Sequence, residues 1–551
     1  MSKKSSGSCS TRHTEGVSLQ RSLLEARAQR RARSCTRTTI TLTGTLTIAA
    51  FLTCACESQD PRSTTDATTN STARAAGARP NIVLLYADDM GFGDLAIQNP
   101  ESKLVTPALD RLAREGTRFT NAHSSSGICT PSRYALLTGR YHWRKFHEIV
   151  NSWGPSVIDA ARVTLPEVLR DAGYRTACIG KWHLGWDWSA IRKEGCDTKE
   201  LRDRADSYDW SAPIPDGPLA HGFDTYFGDD VPNFPPYTFI ENDRVVVAPD
   251  RPHVPSPKPD EGSPECRPGP MAPGWRLDRV MPTLTDRAVR WIEQCDTSKP
   301  FFLYFPFTSP HAPIVPTEEF RGSSRAGPYG DFVQQTDATV GRVLAALEAR
   351  GLTNDTIVIF TSDNGPERYA YARVSKYGHR SMGPLRGLKR DVYEGGHRVP
   401  FVVRWPRVVS AGRVTDELIG QIDIMATLAS ILGVELPEGM AEDSRDQFPL
   451  WRNVDHSTRS VLVHNTYAKV YGIRMGPWLL IDGPSGQHSK APADFLRANG
   501  YGTEEPPPAV QLFDLAADLP QRHNVADEHP REVETLKTLL TTAREQSSIP
   551  R

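Results

Sequence analysis

From residue 80 onward the chain alternates short, uninterrupted apolar runs with amphipathic stretches. Asn81-Ile82-Val83-Leu84-Leu85-Tyr86 leads directly into Asp88 and Asp89. Thr356-Ile357-Val358-Ile359-Phe360 leads into Ser362-Asp363-Asn364-Gly365, and Phe301-Phe302-Leu303-Tyr304-Phe305 into Pro310-His311-Ala312-Pro313. Tyr174-Arg175-Thr176-Ala177-Cys178-Ile179 runs into Gly180-Lys181-Trp182-His183. A fifth run, Phe401-Val402-Val403-Arg404-Trp405, has its polar cluster before it, in Glu394-Gly395-Gly396-His397-Arg398. Runs apolar at successive positions predict central strands covered on both faces. The intervening helical patterns, one opening at Pro107, predict an α/β fold. In open α/β sheets ligands bind beyond the carboxyl ends of strands. One polar strand end means little, since loops are polar anyway; four together argue for one shared site. After residue 456 the texture changes: short strands are predicted at 461–463, 471–475, 478–481 and 511–515, and a closing helix at 530–542.

The length of 551 residues fits two to four domains of roughly 150 residues. Charge is balanced overall, with 65 Lys and Arg against 66 Asp and Glu. Residues 1–38 are an exception, holding nine Lys and Arg and two Glu. The basic excess is confined to this leader, so nothing supports nucleic-acid binding. Residues 39–51 are apolar but threonine-rich, too short and too weak for a confident membrane span. Phe51-Leu52-Thr53-Cys54-Ala55-Cys56 loosely resembles a lipoprotein box. The leader (1–56) is read as an export signal, with lipidation, simple cleavage and an uncleaved anchor all open. A periplasmic, membrane-tethered or extracellular location is therefore expected. Residues 57–78 read as a disordered linker. Four of the nine cysteines lie in the leader, and no spacing suggests zinc. In an exported chain Cys196 and Cys266 could pair.

Candidate chemistry clusters at residues 129–140 and at the strand ends. Pro131 suits the first helical position and Gly139 the helix end, which puts Cys129 just before the helix. Cys129 then lies at a helix N-terminus, where negative charge is favoured. It is either a small buried apolar residue or a nucleophile poised for an anionic ester. Asp88, Asp89, Asp363 and Asn364 are hard oxygen ligands at two strand ends. Brought together they would need a cation, Ca²⁺ or Mg²⁺ rather than zinc. Taken singly, each aspartate reads more readily as a loop or cap carboxylate. Asp94 reads as an exposed turn residue. Lys181 offers a compact charge and His183 a proton shuttle, His311 sits in a proline-flanked turn, and Lys389 precedes a paired-glycine segment.

Cys129-Thr130-Pro131-Ser132-Arg133 followed by Leu137-Thr138-Gly139-Arg140 closely resembles the type I sulfatase signature. Gly173 to His183 resembles the second signature of that family, and Asp88 to Asp94 and Asp363 to Gly365 resemble its metal-binding segments. The resemblance covers roughly residues 79–545. It implies a mixed, mostly parallel sheet flanked by helices as in the alkaline phosphatase superfamily (79–455), and a small C-terminal α+β subdomain with an antiparallel sheet (456–551). It implies that Cys129 is oxidised after translation to formylglycine by a generating enzyme, and that the hydrated aldehyde is the nucleophile. Asp88, Asp89, Asp363, Asn364 and the oxygen at 129 would hold one ion, usually Ca²⁺ and less often Mg²⁺. Arg133, Lys181, His183, His311 and Lys389 would be catalytic. The implied substrate is a sulfated carbohydrate or an aryl sulfate. The nearest alternative is a phosphonate or phosphodiester hydrolase with the same apparatus; a two-zinc phosphatase fits less well, and a silent glycan-binding protein is a further class. The stretch 186–276 does not align beyond His221-Gly222-Phe223-Asp224, and Glu442 to Asp446 follows the late pattern only loosely.

Overall fold

A computed structural model describes residues 79–254, 266–454, 456–502 and 506–549. The expectations for the leader and linker concern residues outside these. Ten strands form the main sheet: β1 (Asn81–Ala87), β2 (Thr117–Phe119), β3 (Arg175–Ile179), β4 (Thr225–Gly228), β5 (Ile240–Glu241), β6 (Arg244–Val245), β7 (Phe301–Pro306), β8 (Thr356–Ser362), β9 (Phe401–Arg404) and β10 (Arg413–Thr415). Their spatial order is β10-β2-β9-β8-β1-β7-β3-β4-β5-β6. The central pairs β8-β1, β1-β7, β7-β3 and β3-β4 are parallel.

Why these runs sit in the middle follows from their composition. Every residue of β1, β7 and β8 is buried, so both faces must be covered. Successive side chains enter opposite cores. Ile82, Leu84 and Tyr86 join one cluster with Phe302, Tyr304, Ile357 and Ile359, packed against residues of the Cys129–Thr138, Leu165–Asp171 and Ile424–Leu432 helices. Val83, Leu85 and Ala87 join the other with Leu303, Phe305, Val358 and Phe360, under the Pro107–Glu115, Val280–Gln294 and Gly327–Ala349 helices. Among the described residues no helix is long and apolar enough to cross a membrane.

Strand β9 explains the one run whose polar cluster came first. It is antiparallel to β8, with Thr361 opposite Phe401. Its beginning therefore lies at the edge where the parallel strands end, and Glu394 to Val399 arrive at the same place as Asp363. The C-terminal sheet has four antiparallel strands, β11 (Val461–Asn465), β12 (Tyr471–Met475), β13 (Trp478–Asp482) and β14 (Gln511–Asp514). One face packs on the Pro530–Glu545 helix and on Ala135 of the Cys129–Thr138 helix. Two expectations are corrected. Cys196 is a free thiol, so it makes no bridge to Cys266. Asp94 is fully buried, because its carboxylate accepts from the Gly91 amide, the Tyr329 hydroxyl and the His379 ring.

Candidate active site

The site lies past the carboxyl ends of β1, β3, β7 and β8. The β1–β8 register pairs Ala87 with Ser362, which brings Asp88 and Asp89 beside Asp363. The Asp363 amide donates to Ala87 O at 3.0 Å, and the Asp89 amide donates to Asp363 Oδ1 at 3.1 Å. Asp89 holds a left-handed φ of 65° and His183 one of 55°. Such strain in non-glycine residues gathers at functional sites.

The helix carrying the cysteine begins at Cys129 itself, two residues before Pro131, and ends at Gly139 with φ 62°. Proline is tolerated there because the first-turn N–H groups have no intrahelical acceptor. Cys129 is 2% exposed, and its thiol lies 3.6 Å from Asp88 Oδ1. Burial, then the charge of Asp363, pushes this thiol up to about 12. As encoded, Cys129 is a protonated thiol at neutral pH.

Four basic side chains converge on the carboxylates, and a fifth, His183, lies near them. Lys181 Nζ donates to Asp88 Oδ2 at 2.7 Å, with both groups fully buried. Arg133 Nη2 donates to Asp363 Oδ2 at 2.8 Å and lies 3.6 Å from Asp88. Lys389 Nζ lies 2.7 Å from Asp89 Oδ1, and His311 Nε2 lies 3.6 Å from Asp89 Oδ2. His183 sits against the nucleophile helix, its carbonyl accepting from Thr130 Oγ1 at 2.9 Å. Its Nε2 donates to Val150 O at 2.9 Å, and its Nδ1 has no partner among the described residues. Burial and the nearby Lys181 and Arg133 hold His183 well below its usual range. Burial and Lys389 bring His311 down to about 3. Both imidazoles are neutral at rest.

The carboxylates are not equally served. Burial alone would raise Asp88, but Lys181, Arg133 and Lys389 outweigh it and hold the group low. At Asp89 burial outweighs Lys389 and His311, and the group is raised. Asp363 is raised by burial and by Asp88, against Arg133. Burial thus leaves Asp89 and Asp363 less well served than Asp88. Asn364 donates through Nδ2 to Asp89 Oδ1 at 2.7 Å, while its buried Oδ1 has no partner among the described residues. Ligand atoms of Asp88, Asp89, Cys129 and His311 all lie within 4.8 Å of one another. Clustered buried carboxylate oxygens and an orphaned amide oxygen fit a hard divalent cation. Asp363 stands at the edge of that group, its two oxygens already engaged by the Asp89 amide and Arg133.

The structure thus gathers all ten residues singled out in the sequence. It adds three that were passed over. Glu367 lies 3.9 Å from Lys389 Nζ, Asp230 accepts from the His183 amide at 3.2 Å, and Asp229 is buried beside it with both oxygens unpartnered. Signals existed for each: Glu367 follows Asp363-Asn364-Gly365 by two residues, and Asp229-Asp230 directly follow β4. The paired glycines of the Lys389 segment permit close backbone approach. A Cβ at Gly395 would stand 2.2 Å from Gly387 O, and one at Gly396 2.2 Å from Asp391 O.

Residues 80–434 match the sulfatase family model. The chain belongs to the sulfatase family. It is 34% identical over 507 residues to an N-acetylgalactosamine-6-O-sulfatase of Bacteroides thetaiotaomicron, covering 85% of this chain and 93% of the relative. It is 34% identical over 478 residues to arylsulfatase A of Bos taurus, covering 82% and 84%. A solved structure described under the metabolism of multiple glycosaminoglycans by Bacteroides thetaiotaomicron aligns with a TM-score of 0.70 at 32% identity, covering 85% of this chain and 100% of that one. This sulfatase is a sulfuric ester hydrolase with the fold of the alkaline phosphatase superfamily, a mixed sheet between helices and a small antiparallel C-terminal sheet.

Proposed function

We propose that this sulfatase releases inorganic sulfate from a sulfated sugar, using a formylglycine made from Cys129 and one bound divalent cation, Ca²⁺ in preference to Mg²⁺. The observation that carries this reading is the convergence of Lys181, Lys389, Arg133 and His311 on Asp88, Asp89 and Asp363 around Cys129. The sugar substrate is supported by the N-acetylgalactosamine-6-O-sulfatase relative. Asp88, Asp89, Asp363 and Asn364, with the oxygen at position 129, would hold the ion, which when bound draws charge from a sulfate oxygen. Formylglycine supplies a hydrated aldehyde, hence a nucleophilic hydroxyl and a second hydroxyl that lets sulfate leave by elimination.

The chain's own residues supply the rest. Lys181 and Lys389 hold the sulfate oxygens. Arg133 fixes Asp363, and the raised Asp363 carboxylate accepts the proton of the nucleophilic hydroxyl. The carboxylates around Lys389 keep it charged against the pull of burial, so the leaving alcohol takes its proton from Lys389 or from a His311 that gains one at Nε2 when the anionic substrate binds. A bound anion beside His311 favours its charged form. His183 Nδ1, left open by the bond from Nε2 to Val150, takes the proton of the second hydroxyl. Export, with the leader as signal or tether, completes the proposal; N-terminal mass analysis of the protein from its host checks that part.

Mass spectrometry of the Cys129 peptide, joined to sulfate release from N-acetylgalactosamine 6-sulfate, an aryl sulfate and an aryl phosphonate ester, tests the function. Formylglycine with turnover of the sugar sulfate is expected. An unmodified thiol with no sulfate released from any substrate would sink the reading; faster phosphonate cleavage would favour the phosphonate hydrolase.

A further inference from the structure

Arg390 adopts a backbone conformation that arginine avoids. Its φ is 85°, in the left-handed region where a Cβ crowds the backbone. Its amide donates to Gly127 O at 2.7 Å, two residues before Cys129, and the preceding Lys389 amide donates to Pro366 O at 2.9 Å. The residue is thus clamped between the nucleophile loop and the Asp363 loop. Its Nη1 donates to both oxygens of Glu367, at 2.7 and 2.9 Å. Glu367 in turn lies 3.9 Å from Lys389 Nζ. Among the described residues no acceptor meets Nε or Nη2, and the side chain is 32% exposed. One edge of the guanidinium fork is anchored while part of the side chain stays open, and the residue lies beside the lysine assigned to the sulfate. An arginine fixed in this way is built to receive a planar or tripodal oxyanion.

We propose that Arg390 reads a second anionic group, a carboxylate or a further sulfate, on the sugar that carries the scissile sulfate or on its neighbour. This rests on the sulfatase reading above and narrows its substrate to doubly anionic glycan units. The backbone strain is then the cost of aiming the fork over Glu367. Glu367 acts by holding Arg390 and bracketing Lys389, as a positioning residue.

The test compares modified, Ca²⁺-loaded wild type with Arg390→Gln and Arg390→Lys. The probes are N-acetylgalactosamine 6-sulfate, its 4,6-disulfate, and a uronic acid disaccharide of the 6-sulfate. Wild type should prefer at least one doubly anionic probe. Arg390→Gln should lower the ratio of kcat/KM for that probe over the 6-sulfate by about tenfold, the worth of one charge-assisted contact, mostly through KM. Arg390→Lys should retain part of the ratio. Calorimetric binding in a Cys129→Ala background, which cannot turn over, should show the same selective loss. The responding probe identifies sulfate or carboxylate. Equal losses on all three probes would mean that Arg390 acts only through Glu367 on Lys389, and would overturn the assignment. So would a wild type indifferent to the second anion, which leaves the sulfatase function intact. A wild type that splits none of the three sulfates removes the function and this assignment with it.

Discussion

At the scale of the residue, Cys129 and the three buried aspartates divide the work of the site. Cys129→Ala removes the only source of the proposed nucleophile while deleting one sulfur atom from a packed position. Sulfate release should vanish, and the unfolding free energy should change by on the order of 1 kcal/mol; residual turnover at wild-type rates would refute the role of Cys129. The aspartates predict how cation removal depends on pH. Asp89 and Asp363 are raised in the folded protein without the ion. A raised carboxyl contributes stability that is present below its unfolded pKa and is lost as pH rises through the folded value. Chelator-treated enzyme should therefore fall further behind loaded enzyme in thermal midpoint as pH climbs from about 4 toward neutrality. Ca²⁺ should restore it. A gap that stays constant with pH would contradict the charge imbalance.

At the scale of the element, the Glu394–His397 turn joins the catalytic edge to the C-terminal sheet. His123, Glu394, His397 and His464 have ligand-type atoms within 4.8 Å of one another, yet the grouping does not suit an ion. Arg474 and Arg398 already donate to the Glu394 carboxylate at 2.9 to 3.0 Å. The His397 and His464 rings are stacked 3.5 Å apart, so their lone pairs do not converge. The cluster is a buried, neutral joint with a cost in acid. Burial, then neighbouring charges, holds His123 and His464 well below their usual range; His397 falls to about 4, pulled down by burial against Glu394. For a base depressed in the folded state, stability is present above the unfolded pKa of about 6.5 and drains as pH falls toward the folded value. Thermal midpoints should drop steeply between about pH 6.5 and 4, and His464→Phe, which keeps the stack, should flatten that slope. Identical slopes would show that the joint does not govern acid stability.

How much of this was legible is clearest by element. The runs now called β1, β3, β7 and β8 and their polar ends could be read because burial on both faces leaves a continuous apolar signature. The run of β9 was equally clear, but its direction was not, since direction is set by pairing rather than by local pattern. Asp94 was misplaced because two of its three hydrogen-bond donors come from distant segments, Tyr329 on the Gly327–Ala349 helix and His379. The insert at 186–276 stayed opaque because its order rests on tryptophan packing, such as Trp153 against Tyr208 and Trp188, which has no period.

At the scale of the molecule, the C-terminal sheet braces the catalytic edge. Thr466 accepts from the Gly127 amide at 3.1 Å, Arg474 holds Glu394, and the Val392 amide donates to Gly486 O at 2.7 Å. Removing residues 456–551 would strip these partners and bare Tyr141, Trp143 and Ile422, which pack in that core. The shortened chain should give no soluble, sulfate-releasing monomer on gel filtration, and a folded active fragment would overturn the bracing role.

The near-complete burial of Cys129 also orders events in time. A protein catalyst cannot grip a thiol that is buried at the start of its helix against Asp88. Under the proposed function, the oxidising enzyme must therefore meet residues 129–140 as an extended segment, before the sheet closes over them. Quality of the finished enzyme then depends on a race between modification and collapse, and a molecule that folds first is sealed with an inert sulfur at its centre.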